Sequence, residues 1–250
     1  PEKHSLSPSV LKGVDAVINL AGEGIADGRW TPKRKRALIQ SRVLSARRLI
    51  DAMSYMNSKP KVFLSASAIG FYGDQGDQLL NEESAKGNGF LSEVCQSWEN
   101  EILKAKDFGI RTVALRIGMV LGHDGGALEK MLPPFQLGVG GKLGSGTQWM
   151  SWIHIHDLVE MMAFSIENPS ADGIYNAVSP NPVRNREFTK TLGQVLKRPT
   201  LFPAPKFILK IVLGELSELL LGSQRVISKK ISDRGFKFKY PQVNEALREV

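Results

Sequence analysis

Apolar runs that stop at glycine or serine recur through the first half of the chain. AVINL (16–20), VFLSA (62–66) and VALRI (113–117) are nearly uninterrupted, the pattern of strands covered on both faces. Between them, 31 to about 57 and about 88 to 107 carry apolar residues at helical spacing. In the first of these stretches Thr31 is the N-cap and Pro32 the first helical residue. Strand and helix in alternation predict parallel strands joined by helical crossovers, an α/β doubly wound sheet.

From about 126 the pattern changes. A helix, GALEKMLPPFQLG, leads into a glycine-rich loop, GVGGKLGSGTQ, followed by a strand (MSWIHI), a helix beginning near Asp157 and a further strand, GIYNAV. Beyond Pro180, REFTKTLGQVLKR and the apolar segment 201–226 read as helices capping the carboxyl end of the sheet, and GFKFKY as a short alternating strand before a closing helix. The division predicted is a main domain at 1–200 and a small, mostly helical C-terminal domain at 201–250.

Composition narrows the classes. The chain of 250 residues, 42% hydrophobic, suits one globular unit with a small appendage. The longest apolar stretch, 207–222, is interrupted by Lys210, Glu215 and Glu218, so no segment reaches the roughly 20 apolar residues of a spanning helix. PEKHSLSPSV has neither a secretory nor a transit character, and the single Cys95 cannot form an internal disulfide. These features predict a cytoplasmic protein without a membrane partner, with Cys95 as core filling. The formal charge of +8 and the run KRKR at 33–36 raise nucleic acid as a partner. No zinc-ligand spacing or aromatic-basic pattern accompanies the run, so a solvated helix turn is preferred and no nucleic acid is expected.

In doubly wound sheets ligands gather beyond the carboxyl ends of the strands, which directs attention to Asn19–Gly22, Ser65–Gly73 and Arg116–Gly122. DAVINLAGE, SASAIGFYG, RIGMVLG, SWIHIHDL and GIYNAV, in that order, resemble the extended short-chain dehydrogenase/reductase superfamily, which includes nucleotide-sugar epimerases. GFLSEVCQSWE, MLPPFQLGVGGKLGSG and the tail from Pro203 narrow the resemblance to an epimerase-like family with a small C-terminal domain of unknown function. The resemblance implies a Rossmann-type fold and NADP(H) as cofactor. It places Asn19, Leu20, Ala21 and Gly22 against the adenosine and ribose, Ser65 near the cofactor, and Ser67 as the catalytic serine. Arg42 and Arg116 are the arginines it assigns to NADP, since a guanidinium meets phosphate oxygens through a charge-assisted fork.

The chain departs from the superfamily pattern twice. The G-x-x-G-x-x-G turn that holds a pyrophosphate is missing, and neither 21–28 nor 138–146 has its spacing; the N-terminal strands of the sheet are therefore expected to be missing from the sequence. The Tyr-x-x-x-Lys pair is also gone: aligned on Glu99, its positions hold Leu91 and Cys95. Tyr55 and Lys59 have the spacing but precede the serine strand. Tyr72, beyond that strand, is the candidate proton donor. His154, His156 and Asp157 are taken as structural, with no metal; His123 and Asp124, in the loop after Gly122, are within reach of substrate, and the sequence leaves their role open.

The function expected is NADP(H)-dependent oxidoreductase or epimerase-like chemistry on a small hydroxylated or carbonyl substrate, nucleotide sugars included. A non-catalytic NADP-binding sensor or scaffold linked to cell division stays open. So do nucleic-acid binding through 33–36 and a homodimer.

Overall fold

The computed structural model describes residues 6–123 and 125–250. Four parallel strands, β1 (Ala16–Asn19), β2 (Val62–Ala68), β3 (Arg111–Ile117) and β4 (Gly173–Ala177), form the central sheet in that order. Helix α1 (Pro32–Ser54) connects β1 to β2, and α2 (Phe90–Leu103) connects β2 to β3. The α/β reading of the sequence therefore holds, and its cause is visible in the packing. Phe63 and Ala114 face a cluster with Ile50, Met53, Trp98 and Ile102 of α1 and α2. Their neighbours Val62, Leu64, Val113 and Leu115 face a second cluster on the other side of the sheet. That side is covered by α4 (Ile155–Glu167), with α3 (Gly126–Gln136) preceding it in the chain.

Helix α1 starts where the sequence predicts. The Thr31 hydroxyl accepts a hydrogen bond from the Arg34 amide at 3.2 Å, with Pro32 in the first turn. Strand β1 pairs only with β2 among the described residues, and Ile18 on it is 48% exposed.

Past β4, α5 (Asn185–Leu196) and α6 (Lys206–Leu213) lead to short turns and to a two-residue strand, Arg225–Val226. That strand pairs in parallel with Leu79–Leu80, from the loop after β2, and fastens the last quarter of the chain to the strand ends. The Asp157 carboxylate accepts from the Lys239 and Tyr240 amides at 2.8 and 3.0 Å, which accounts for this buried acid structurally. The His154 ring accepts from the His156 amide and stacks on Tyr240. GFKFKY is irregular rather than a strand: Phe236 and Phe238 meet edge to face within the second cluster, and Phe236 packs on Phe164 of α4, so packing on a helix replaces pairing with a neighbour.

Candidate functional site

The register of the sheet brings Ser67 of β2, Arg116 of β3 and Asn176 of β4 opposite one another in one row. All three are buried. A charge buried near the end of a covered strand needs a partner, and α2 supplies one. Arg116 donates through Nε and Nη2 to the two oxygens of Glu99, both at 2.8 Å. The side chains of this ion pair are 4% and 3% exposed. The guanidinium also lies 3.4 Å from the centre of the Phe71 ring.

Ser67 Oγ donates to Glu99 Oε1 at 2.7 Å. Arg116 Nη1 donates to the Tyr72 hydroxyl at 3.0 Å, and the one proton of that hydroxyl is shared between Asn176 Oδ1 and the Asn81 carbonyl, at 2.7 and 2.9 Å. Asn176 Nδ2 closes the row on the Ile227 carbonyl at 3.0 Å. Three strands, one helix and the C-terminal tail thus meet in one buried polar network, in which charge-assisted bonds fix each rotamer.

Two sequence assignments need correction on this geometry. Arg116 is turned inward to Glu99 and Tyr72, so its charge is already compensated and its fork is not open to a cofactor phosphate. Tyr72 is fully buried with its proton committed to Asn176 and Asn81. Burial pushes its pKa up, against the pull of Arg116, so it is a structural hydroxyl rather than a proton donor to substrate. Tyr55, at the end of α1, is 80% exposed and remote in the topology from β2's carboxyl end.

Leu91 and Cys95, at the positions of the missing pair, pack under the turn that follows β2. A Cβ added at Gly70 would meet Leu91 Cβ at 3.2 Å and Cys95 Sγ at 3.6 Å, which explains the glycine there. Burial, aided by the Glu99 charge, pushes the Cys95 thiol up to about 12, so this helix turn offers no group that titrates near neutrality.

The residues expected around a cofactor gather beyond β1. Asn19 Nδ2 donates to Ser65 Oγ at 3.2 Å and to Ser45 Oγ at 3.3 Å, and Asn19 Oδ1 accepts from the Ala21 amide at 3.2 Å. Asn19 and Ser65 are therefore buried organisers of the turn, while Leu20, Ala21 and Gly22 are exposed on it. Arg42 lies along this turn: a Cβ at Gly22 would stand 3.3 Å from Arg42 Cγ. The guanidinium donates only to the Leu38 and Glu23 carbonyls, at 3.1 and 3.0 Å, and stacks over Trp98. It has no carboxylate partner among the described residues, and burial lowers its pKa. A partly desolvated cation facing neutral acceptors beside the exposed Ala21–Gly22 backbone fits an anionic group. The run 33–36 is partly consumed inside the molecule, Arg34 by Glu23 and the Gly24 carbonyl and Lys35 by Glu215.

A pocket of about 550 Å³ opens just past Tyr72, lined among others by Asp74, Asp77, Thr147, Arg184, Arg186 and Lys206. Arg184 pairs with Asp77 at 2.8 Å, and this bond, joined by the Trp149 indole N–H, holds the Asp77 carboxyl below its ordinary value. Arg186 and Lys206 have no acid partner among the described residues. His123 lies in the loop before α3, and Asp124 is outside the described residues. Among the described residues there is no cluster of three metal-ligating side chains.

Sequence reasoning used Glu99 only to align the helix and passed over Asn176. The signal for Glu99 was present, because an arginine inside RTVALRIG demands a buried acid elsewhere.

Residues 4–178 match the NAD dependent epimerase/dehydratase family, and residues 204–250 match a domain of unknown function, DUF1731. An epimerase family protein SDR39U1 homolog, chloroplastic, of Arabidopsis thaliana is 44% identical over 243 residues, covering 96% of this chain and 69% of its own length. The epimerase family protein YfhF of Bacillus subtilis is 39% identical, covering 96% of this chain and 79% of its own. Among solved structures, human epimerase family protein SDR39U1 (isoform 2) with NADPH superposes with a TM-score of 0.90 at 32% identity, over 98% of this chain and 86% of that one.

Proposed function

The chain belongs to the NAD-dependent epimerase/dehydratase family, and from that premise we propose that it binds NADP(H) and acts on a small anionic substrate bearing a hydroxyl or carbonyl. The observation that carries the cofactor reading is Arg42, a half-buried guanidinium without an acid partner beside the open Ala21–Gly22 turn. The NADPH in the human relative's structure supports it. Asn19 and Ser65 would hold the turn in shape, and Arg42 would face the phosphate on the adenosine ribose. When bound, the nicotinamide supplies or accepts hydride.

The remaining groups follow from this chain's own side chains. Arg186 and Lys206 would draw a phosphate or carboxylate of the substrate into the pocket. Ser67 directs its hydroxyl proton to Glu99, so toward a substrate it offers lone pairs and would accept from a hydroxyl rather than polarise a carbonyl by donation. The test is calorimetric titration of the chain with NADPH and NADH. Micromolar NADPH binding, weakened at least tenfold by Arg42→Ala, is expected; binding unchanged in that variant sinks the assignment.

A second reading, a cofactor-binding protein without turnover, is favoured by one observation: apolar Leu91 and a buried, un-ionised Cys95 replace the acid-base pair. NADPH bound tightly but never consumed over a panel of phosphorylated carbonyl compounds would select it.

A further inference from the structure

Helix α6 buries none of its residues completely. Together with the segment before it, it presents Leu201, Phe202, Phe207, Ile208, Ile211 and Val212, each between 44% and 76% exposed. On the helix, Phe207 and Ile211, like Ile208 and Val212, are four residues apart and share a side. The opposite side holds the helix in place: Leu213 joins a cluster with Trp30 and Leu38. The Arg29 guanidinium donates to the Ile211 and Val212 carbonyls at 3.2 and 2.8 Å. The apolar side is therefore held outward by the fold.

Charge says what covers it. From Phe188 to Gly214 the sequence contains no Asp or Glu. Lys190, Lys197, Arg198 and Lys210 in this stretch are all exposed, and none forms an ion pair among the described residues, while Lys206 is turned to the pocket. We propose that this face docks on an anionic lipid surface, with the apolar side chains entering the headgroup boundary and the cations meeting lipid phosphates. Lysine-rich, acid-free segments with phenylalanine and aliphatic residues on one side are the composition of interfacial helices, whereas lysine is depleted from the centres of protein interfaces. Self-association is disfavoured by the same charges, because a two-fold contact would set this basic segment against its own copy. The docking is peripheral, since among the described residues no helix is long and apolar enough to cross a membrane. It departs from the expectation of no membrane partner, which rested on spanning runs alone, and it is independent of the proposed cofactor and substrate.

Flotation of the full chain with phosphatidylcholine vesicles, alone and mixed with phosphatidylglycerol, tests it. Binding should be at least tenfold stronger on the mixed vesicles, should fall as salt is raised, and should drop about tenfold in Lys197→Gln/Lys210→Gln and in Phe207→Ser/Ile211→Ser. Circular dichroism melts report whether these surface variants keep the fold. If either variant does not fold, hydrogen exchange of residues 201–212 in the unaltered chain decides instead, with slowing expected only when mixed vesicles are present. No flotation with mixed vesicles, equal binding by the folded variants, or a concentration-dependent dimer that protects 201–212 without lipid would each overturn the proposal.

Discussion

Ser67 Oγ lies 2.7 Å from Glu99 Oε1, and the same oxygen receives Arg116 Nε at 2.8 Å. One carboxylate oxygen thus serves a serine and an arginine away from water. Glu99→Leu leaves Arg116 buried and uncompensated and is expected to cost about 3–5 kcal/mol in urea unfolding. Adding Arg116→Met should recover most of that loss, because replacing both charges by apolar groups is often neutral. A double variant no more stable than Glu99→Leu would mean that the pair does not act as a unit.

Cys95 should be inert in the native protein. It is 3% exposed and its thiol is pushed up to about 12 by burial, so little thiolate forms near neutrality. Ellman's reagent at pH 8 is expected to show less than about a tenth of the thiol reacting before unfolding, and all of it in guanidinium. Rapid native labelling would contradict the packing of Cys95 beneath Gly70.

Stability should fall as pH drops below the ordinary histidine range. Burial lowers the His154 pKa, opposed by the Asp157 charge and assisted by His156, with Glu249 and Lys239 also nearby. The unfolded chain then binds a proton that the folded chain resists. His154 therefore contributes stability above about pH 6.5 that is lost as pH falls toward its depressed value. The melting midpoint should decline from pH 7.5 to 5.5 and decline less in His154→Asn, which keeps an acceptor for the His156 amide at the start of α4. Parallel curves for the two proteins would assign the slope to other groups.

Gly118 marks a crossing too tight for a side chain. A Cβ there would stand 2.6 Å from the Ser151 carbonyl and 2.7 Å from Val178 Cγ1. Ser151 in turn donates to the Gln224 carbonyl at 2.7 Å and accepts from the Val226 amide at 2.9 Å, so displacing it disturbs the tail. Gly118→Ala is expected to cost about 1–3 kcal/mol in chemical denaturation. A change below about 0.5 kcal/mol would mean that the loop yields freely.

Inorganic pyrophosphate should raise the melting temperature of the unaltered chain more than that of Arg186→Glu, because Arg186 lines the pocket without an acid partner among the described residues. Equal shifts would place the anion elsewhere.

The sheet was readable in the sequence because burial on two faces leaves an uninterrupted apolar run, and Thr31–Pro32 marked the start of α1 because capping is local. Direction was not readable. RIG after an apolar run says that an arginine stands at a strand end. Whether it faces a cofactor or a carboxylate depends on Glu99, 17 residues away on a helix. Tyr72 was misread for the same reason, since its acceptor Asn176 is 104 residues distant. Asn19 and Ser65 were expected beside one turn, but their bonds to each other and to Ser45 needed the register of two strands.

The parallel pairing of Leu79–Leu80 with Arg225–Val226 also sets a timetable. On the ribosome, β1, β2 and β3 can assemble long before the tail leaves the exit tunnel. The loop past Tyr72 gains its pairing strand, and Asn176 its Ile227 acceptor, only after residues 225–227 have been made. Such long-range closure is slow to form, so a nascent chain that stops short of residue 225 would hold paired strands and an unfinished pocket.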